Sequence, residues 1–285
     1  RAAWQFNLDY GYTSALVLWA LGWSMVGLAA LVWLGDGWIA TVGLSMVLLH
    51  NLLDDASPAD VGLPAWLWTI LHQPGTISLS ATIEFFVLYP LIPWVGVMAL
   101  GYVFAPVFTR PSPDRDRICV GLGLAACLGF VVLRLANGYG DPSPWVRYES
   151  ETRSALSVLA ATKYPASLQY LLMTLGPVLL LLPPFGRAHG LLAEVFRTFG
   201  RTPLFFWLLH VPLIHLIAVG LSVTRYGAVV PWLVQNPPVE PPPAYGYPLW
   251  VVYAVTLSVV VALYPVCRWF DELKRRRRSA WLSYL

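Results

Sequence analysis

Lys163-Tyr164-Pro165-Ala166-Ser167-Leu168-Gln169-Tyr170-Leu171-Leu172-Met173-Thr174-Leu175-Gly176-Pro177 begins with a lysine and a tyrosine, turns at a proline and runs into an apolar helix. Pro165 suits a first helical turn, and Ser167, Gln169 and Tyr170 follow inside it. Polar side chains at a bilayer boundary are costly unless they anchor the helix or line a wet cavity, and this stretch has more of them than anchoring needs. The run therefore reads as the mouth of a membrane span that also carries chemistry.

The rest of the chain agrees with a membrane reading. Of 285 residues, 58% are hydrophobic and 12% charged, with a mean hydropathy of +0.63. A soluble domain carries about 25% charge. Near-uncharged runs of spanning length, about 17–25 residues, fall at 12–34, 37–53, 84–108, 117–136, 166–184, 202–223 and 247–269. The expected fold is an all-α polytopic membrane protein with about seven transmembrane helices, forming a single helical domain over 1–285. The second run is short, and its polar end, His50-Asn51, belongs at an interface.

Lys and Arg placement sets the orientation. With the basic tail 270–285 (Lys274 to Arg278) in the cytoplasm, alternation puts loops 109–117 and 185–201 inside with most of the basic residues. Loops 54–83, 137–165 and 224–246 then face outward, and the first has no Lys or Arg. The tail is a topology anchor that touches anionic lipid, and nothing calls for nucleic acid as a partner. The chain begins at Arg1 with neither Met nor a signal-peptide pattern, so the expectation is a fragment that lacks one or more N-terminal helices. Cys119, Cys127 and Cys267 lie in or beside spans without zinc or disulfide spacing and read as small buried hydrophobes; no metal is expected.

The outer loops are the long ones, and function is expected there. Pro64 to Leu71 reads as an interfacial helix with Trp66 and Trp68 at headgroup level. A second short helix is expected near 154–162, and Asn236 to Pro243 reads as a polyproline-like spacer. No span has a charge near its middle; His50, Glu84 and Arg134 sit toward outer ends, which weakens a transporter reading.

Three clusters can carry chemistry. On a helix, His50 and Asp54 are i and i+4 and share a face. A carboxylate there would orient an imidazole base, and Asn51 would donate to a developing oxyanion; the plain alternative is a polar helix end at the interface. Arg134 to Asp141 forms the second, with Asn137 in it and glycines on either side of Tyr139 that let the backbone approach a ligand. Arg134 either snorkels to headgroups or pairs with Glu84, Asp54 or Asp141. In the third, Lys163 and Tyr164 are either interfacial anchors or, with Ser167, the lining of an acceptor pocket that neutralises an anionic substrate. On the sixth span His210 and His215 are five apart, about 140° of helix. They do not naturally share a metal and read first as packing histidines; His215 is kept as a candidate substrate contact.

These segments resemble a family. His50 to Asp54, Tyr89 to Tyr102, Arg134 to Trp145, Lys163 to Pro177 and Phe199 to His215 are together similar to bacterial membrane proteins related to the catalytic domain of heparan-alpha-glucosaminide N-acetyltransferase. The resemblance implies a ten- or eleven-helix acyltransferase fold in the bacterial inner membrane. It also implies acetyl-CoA or another acyl-CoA as cytoplasmic co-substrate and a glycan, or another hydroxyl or amine, as periplasmic acceptor. The family's active histidine and its neighbouring asparagine have no counterpart in residues 1–49, so the candidacy of His50, Asn51 and Asp54 rests on local chemistry alone. A second reading is a non-catalytic subunit that kept the fold and uses its 14 tryptophans against partner subunits or lipid.

Overall fold

The computed structural model describes residues 8–229, 231–234, 245–277 and 282. The expected spacer at 236–243 and most of the tail beyond Arg277 lie outside the described residues. The sequence reads as one helical domain; contacts sort the chain into two compact units, residues 13–187 and residues 1–12 with 188–285.

β1 (Tyr12–Ala15), all but its first residue in the 13–187 unit, leads into α1 (Val17–Leu31), extended by a 3₁₀ turn to Leu34. After Gly35, whose φ of 77° favours glycine, α2 (Asp36–Leu49) tightens into a 3₁₀ turn at His50–Leu53. The interfacial helix expected from the tryptophans is α3 (Ala65–Leu71), started after Pro64. A hairpin follows, β2 (Gly75–Ser80) with β3 (Ile83–Val87), antiparallel with Gly75 opposite Val87. Then come α4 (Leu91–Phe104), α5 (Ser112–Ala136), α6 (Glu151–Leu159) and α7 (Leu168–Arg187). The second unit holds α8 (Leu191–Arg201), α9 (Pro203–Tyr226) and α10 (Leu249–Arg276).

Among the described residues, seven helices, counted with their 3₁₀ extensions, are long and apolar enough to cross a membrane: Val17–Leu34, Asp36–Leu53, Leu91–Thr109, Ser112–Ala136, Leu168–Arg187, Pro203–Tyr226 and Leu249–Arg276. The molecule is mostly helical, consistent with the all-α polytopic expectation, and departs from it locally in two places. A three-stranded sheet in the order β1-β3-β2 is present. Strand β3 and the link 88–90 after it take residues 84–90 out of the expected span 84–108, so Glu84 sits exposed on β3 and the helix begins only at Leu91. The short helix expected near 154–162 begins earlier, at Glu151, where Ser150 caps the Arg153 amide.

Lipid tails supply no hydrophobic drive between helices, so close approach depends on small residues. Gly43 of α2 faces Gly96 of α4, where an added Cβ on Gly96 would stand 2.9 Å from Met46 Cβ and 3.0 Å from the Gly43 carbonyl oxygen. Gly123 of α5 likewise meets Leu180 and the Gly176 carbonyl of α7. Buried Val47, Ala166, Leu168 and Leu171 form an apolar cluster beneath the polar end of this unit. Gly96→Leu should therefore overpack the α2–α4 seam and cost about 1–3 kcal/mol. Gly101→Ala on the same helix, with nothing within 4 Å, should be neutral or mildly stabilising. Thermal unfolding of the two variants in detergent measures the difference.

Candidate functional site

The candidate residues of the first unit gather at one end of its span bundle, where α2 and α5 finish and α4 and α7 begin. Arg134, in the last turn of α5, is the largest fully buried side chain there. A guanidinium has five N–H donors in a fixed fork, and each finds an acceptor. Nε donates to the Val158 carbonyl at 2.9 Å. Nη1 donates to Ser143 O at 3.0 Å and to Gln169 Oε1 at 3.1 Å, and Nη2 to the carbonyls of Ser157 at 2.8 Å and Ala160 at 2.9 Å. Three of these carbonyls close the C-terminal end of α6, where a cation is favoured. Of the acidic partners expected from the sequence, Asp141 is the one paired with Arg134, at 3.9 Å.

Asp141 is as fully engaged as its partner. Oδ1 accepts from the Ser143 amide at 2.8 Å and the Thr162 hydroxyl at 2.7 Å; Oδ2 accepts from the Thr162 amide at 2.7 Å and Ser167 Oγ at 2.8 Å. Ser167 in turn accepts from the Tyr170 amide at 3.1 Å, an N-cap for α7. Asn51 serves the same helix start from across the bundle, its Oδ1 accepting the Leu168 amide at 2.8 Å. Gln169 completes the net, donating Nε2 to the Tyr139 carbonyl at 2.7 Å while its own amide reaches the carbonyl of Gly140 at 2.9 Å. Gly140 has φ 87° and lies against Leu168, so a side chain there would be strained. Asn137, itself left-handed at φ 54°, exchanges two 3.0 Å hydrogen bonds with the backbone of Trp145. The Tyr139 hydroxyl donates to the Leu48 carbonyl, and burial followed by the charge of Asp54 raises its phenol above the ordinary value.

His50 and Asp54 do not form the expected pair. The helix tightens at His50, and in a 3₁₀ turn residues i and i+3 eclipse; Asn51 Nδ2 therefore donates to Asp54 Oδ2 at 2.8 Å. His50 is buried with Nδ1 3.0 Å from the carbonyls of Met46 and Val47, and Nε2 2.9 Å from that of Ala166. Neither nitrogen directs a lone pair into open space.

The imidazole facing Asp54 belongs to His72, just past the end of α3, with Nε2 3.2 Å from Oδ1. Neither Nε2 nor Nδ1 has a hydrogen-bond partner among the described residues, so the carboxylate and the ring meet by proximity alone. His72 is fully buried, its ring 4.9 Å from Trp68 and 6.3 Å from His50, centroid to centroid. Sequence spacing had no reason to select it, 18 residues from Asp54; the signal was its position directly after the tryptophan-bearing helix.

Lys163 and Tyr164 lie at the exposed rim. The Lys163 ammonium sits 5.2 Å from the Tyr164 ring centre, and the two hydroxyls of Tyr164 and Tyr89 are 3.2 Å apart. The hydrogen bond from Tyr89, then Lys163, pulls the Tyr164 phenol below its ordinary value, while burial and that same bond push Tyr89 up to about 12. His215 is half-buried on α9 of the second unit. Among the described residues no three His, Cys, Asp or Glu side chains gather where they could hold a metal. No family model, curated protein or solved structure matches this chain.

Arg134→Lys keeps the charge but offers three donors to five acceptors. It should lower stability by about 2–5 kcal/mol, whereas Lys163→Ala at the rim should stay within about 0.5 kcal/mol of the parent. Unfolding followed by tryptophan fluorescence in detergent reads both.

Proposed function

We propose that the chain is an integral membrane acyltransferase that passes an acyl group from acyl-CoA to a hydroxyl or amine, with a glycan as the favoured acceptor class. The observation that carries this reading is the Asp54–His72 pair. A carboxylate at Nε2 favours the tautomer with its proton on that nitrogen and the lone pair on Nδ1, the arrangement a general base needs. Nδ1 takes the proton from the acceptor O–H or N–H as its heteroatom bonds to the thioester carbonyl carbon. When the intermediate collapses the C–S bond breaks, and the imidazolium returns the proton to the departing CoA thiolate. The second N–H of the Asn51 amide, whose first is held by Asp54, donates to the developing oxyanion. Displacement of α3 with Trp68 admits the substrates to the buried ring.

Support also comes from the five segments similar to the heparan-alpha-glucosaminide N-acetyltransferase relatives. That likeness brings the ten- or eleven-helix fold, the bacterial inner membrane and a cytoplasmic C-terminus into the proposal. The basic residues Arg115, Arg117 and Arg187, at the opposite end of the first unit, suit that orientation.

A second reading, a non-catalytic subunit, is favoured by the saturation of Arg134 and Asp141, which leaves neither free for an acceptor. The two separate in one experiment. Full-length protein in detergent is assayed for CoA release from acetyl-CoA with amino-sugar and neutral-sugar acceptors. The enzyme reading expects release that falls about 10²–10⁴-fold in His72→Ala, a smaller loss in Asp54→Asn, and unchanged melting with Lys163→Ala. No release with any acceptor, together with stoichiometric co-purification of other chains, overturns it in favour of the subunit.

A further inference from the structure

The second unit carries a surface that the acyl-transfer reading does not use. At 100° per residue, Leu191, Val195, Phe199, Leu192 and Phe196 of α8 fall on one arc of about 140°, and Arg197, Arg201, Glu194 and Thr198 on the other side. Thr198 is buried and Phe199 packs on Phe206 at 5.0 Å and Tyr264 at 6.0 Å, so the helix is fixed against α9 and α10 by its inner face. Leu191, Leu192 and Phe196 remain 73, 74 and 73% exposed. The outer surface of α8 is thus half apolar and half cationic.

The depth of this helix follows from its neighbours. From Leu249 to Cys267, α10 has no charged residue, a length of about 28 Å at 1.5 Å per residue, close to the hydrocarbon thickness of about 30 Å. Its first charge, Arg268, therefore stands at the headgroup boundary. There Arg268 and Arg275 join Arg197 and Arg201 around a cavity of about 200 Å³. Three carboxylates also line it. Asp271 is held by Arg201 at 3.5 Å and Arg275 at 3.3 Å, and Glu272 by Arg268 at 3.5 Å; Glu194 is the third. Four arginines against three carboxylates leave the cavity cationic, and Lys274, Arg276 and Arg277 extend that charge along the last turns of α10. Arg197 donates to the Ala188 carbonyl at 2.6 Å through one nitrogen, which leaves the rest of its fork for an anion.

We propose that α8 lies in the membrane interface with Leu192 and Phe196 in the acyl-chain boundary. The Arg197–Arg201–Arg268–Arg275 cavity binds the phosphate of an anionic phospholipid headgroup. An apolar edge beside a cationic one is the form that interfacial helices take, and a phosphodiester with attached chains satisfies both edges, which a soluble phosphate does not.

The test is native mass spectrometry of the full chain in detergent, titrated with phosphatidylglycerol and with phosphatidylcholine. Arg197→Gln/Arg268→Gln is the variant, because it leaves both arginines on buried Asp271. Leu192→Ser/Phe196→Ser removes the apolar edge without touching charge. The parent should retain phosphatidylglycerol about tenfold better than phosphatidylcholine. The arginine variant should lose that preference, because two cations at roughly fivefold each outweigh a tenfold difference, and the serine variant should weaken retention of both lipids. Equal retention of the two lipids by the parent, or an unchanged preference in the arginine variant, overturns the proposal. Full displacement by inorganic phosphate at matched concentration also overturns it, and assigns the cavity to a soluble phosphate.

Discussion

A buried guanidinium must satisfy five donors at once, and the polar end of the 13–187 unit is arranged around doing so for Arg134. Its acceptors come from α6, from the 141–145 turn and from α7, so one side chain fixes three segments within the 35 residues that follow it. Removing such a group from water costs several kcal/mol before any hydrogen bond is made. Partial satisfaction would therefore be worse than an apolar residue, and completeness is the physical condition for the arrangement to exist. Asp141 obeys the same condition with four donors, and Ser167 and Asn51 extend the net to the first amides of α7.

That saturation narrows the chemistry. Groups whose valences are filled by the fold position other groups and do not greet a substrate. Arg134, Asp141, Asn137, Ser167 and Gln169 hold the loop 137–165 against the helix ends. His50 is held between carbonyls of α2 and Ala166. Asp54 and His72 are different: a carboxylate oxygen stands 3.2 Å from Nε2, and neither ring nitrogen has a hydrogen-bond partner among the described residues. The functional proposal rests on that inequality.

Hydropathy made the seven spans legible because each is an apolar run bounded by charge or proline, and the tryptophans of Pro64 to Leu71 marked the interfacial helix. The hairpin was not legible as such. Ile83-Glu84-Phe85-Phe86-Val87 is apolar enough to merge with the helix behind it, although the alternation before it and the Ser80-Ala81-Thr82 turn carried a strand signal. Clustering at one end was readable from the positions of His50, Arg134 and Lys163 at span ends. The pairings were not. Asp54 turns away from His50 because α2 tightens by about 0.6 residue per turn at that point, and the imidazole it faces stands just past the end of a separate helix. Arg134 reads in sequence as either a snorkelling cation or the partner of Glu84, Asp54 or Asp141; Asp141 is its partner, while the backbone carbonyls that take most of its donors leave no trace in residue type.

Residues 137–170 form a rigid polar clamp and no ordinary surface loop. Amide hydrogen exchange of the protein in nanodiscs, resolved over that segment, tests it most directly. The account predicts that the Ser143, Thr162, Leu168 and Gln169 amides, which donate to Asp141, Asp141, Asn51 and Gly140, exchange as slowly as those in the middle of α5 and α7. Exchange within seconds at these four positions would contradict it.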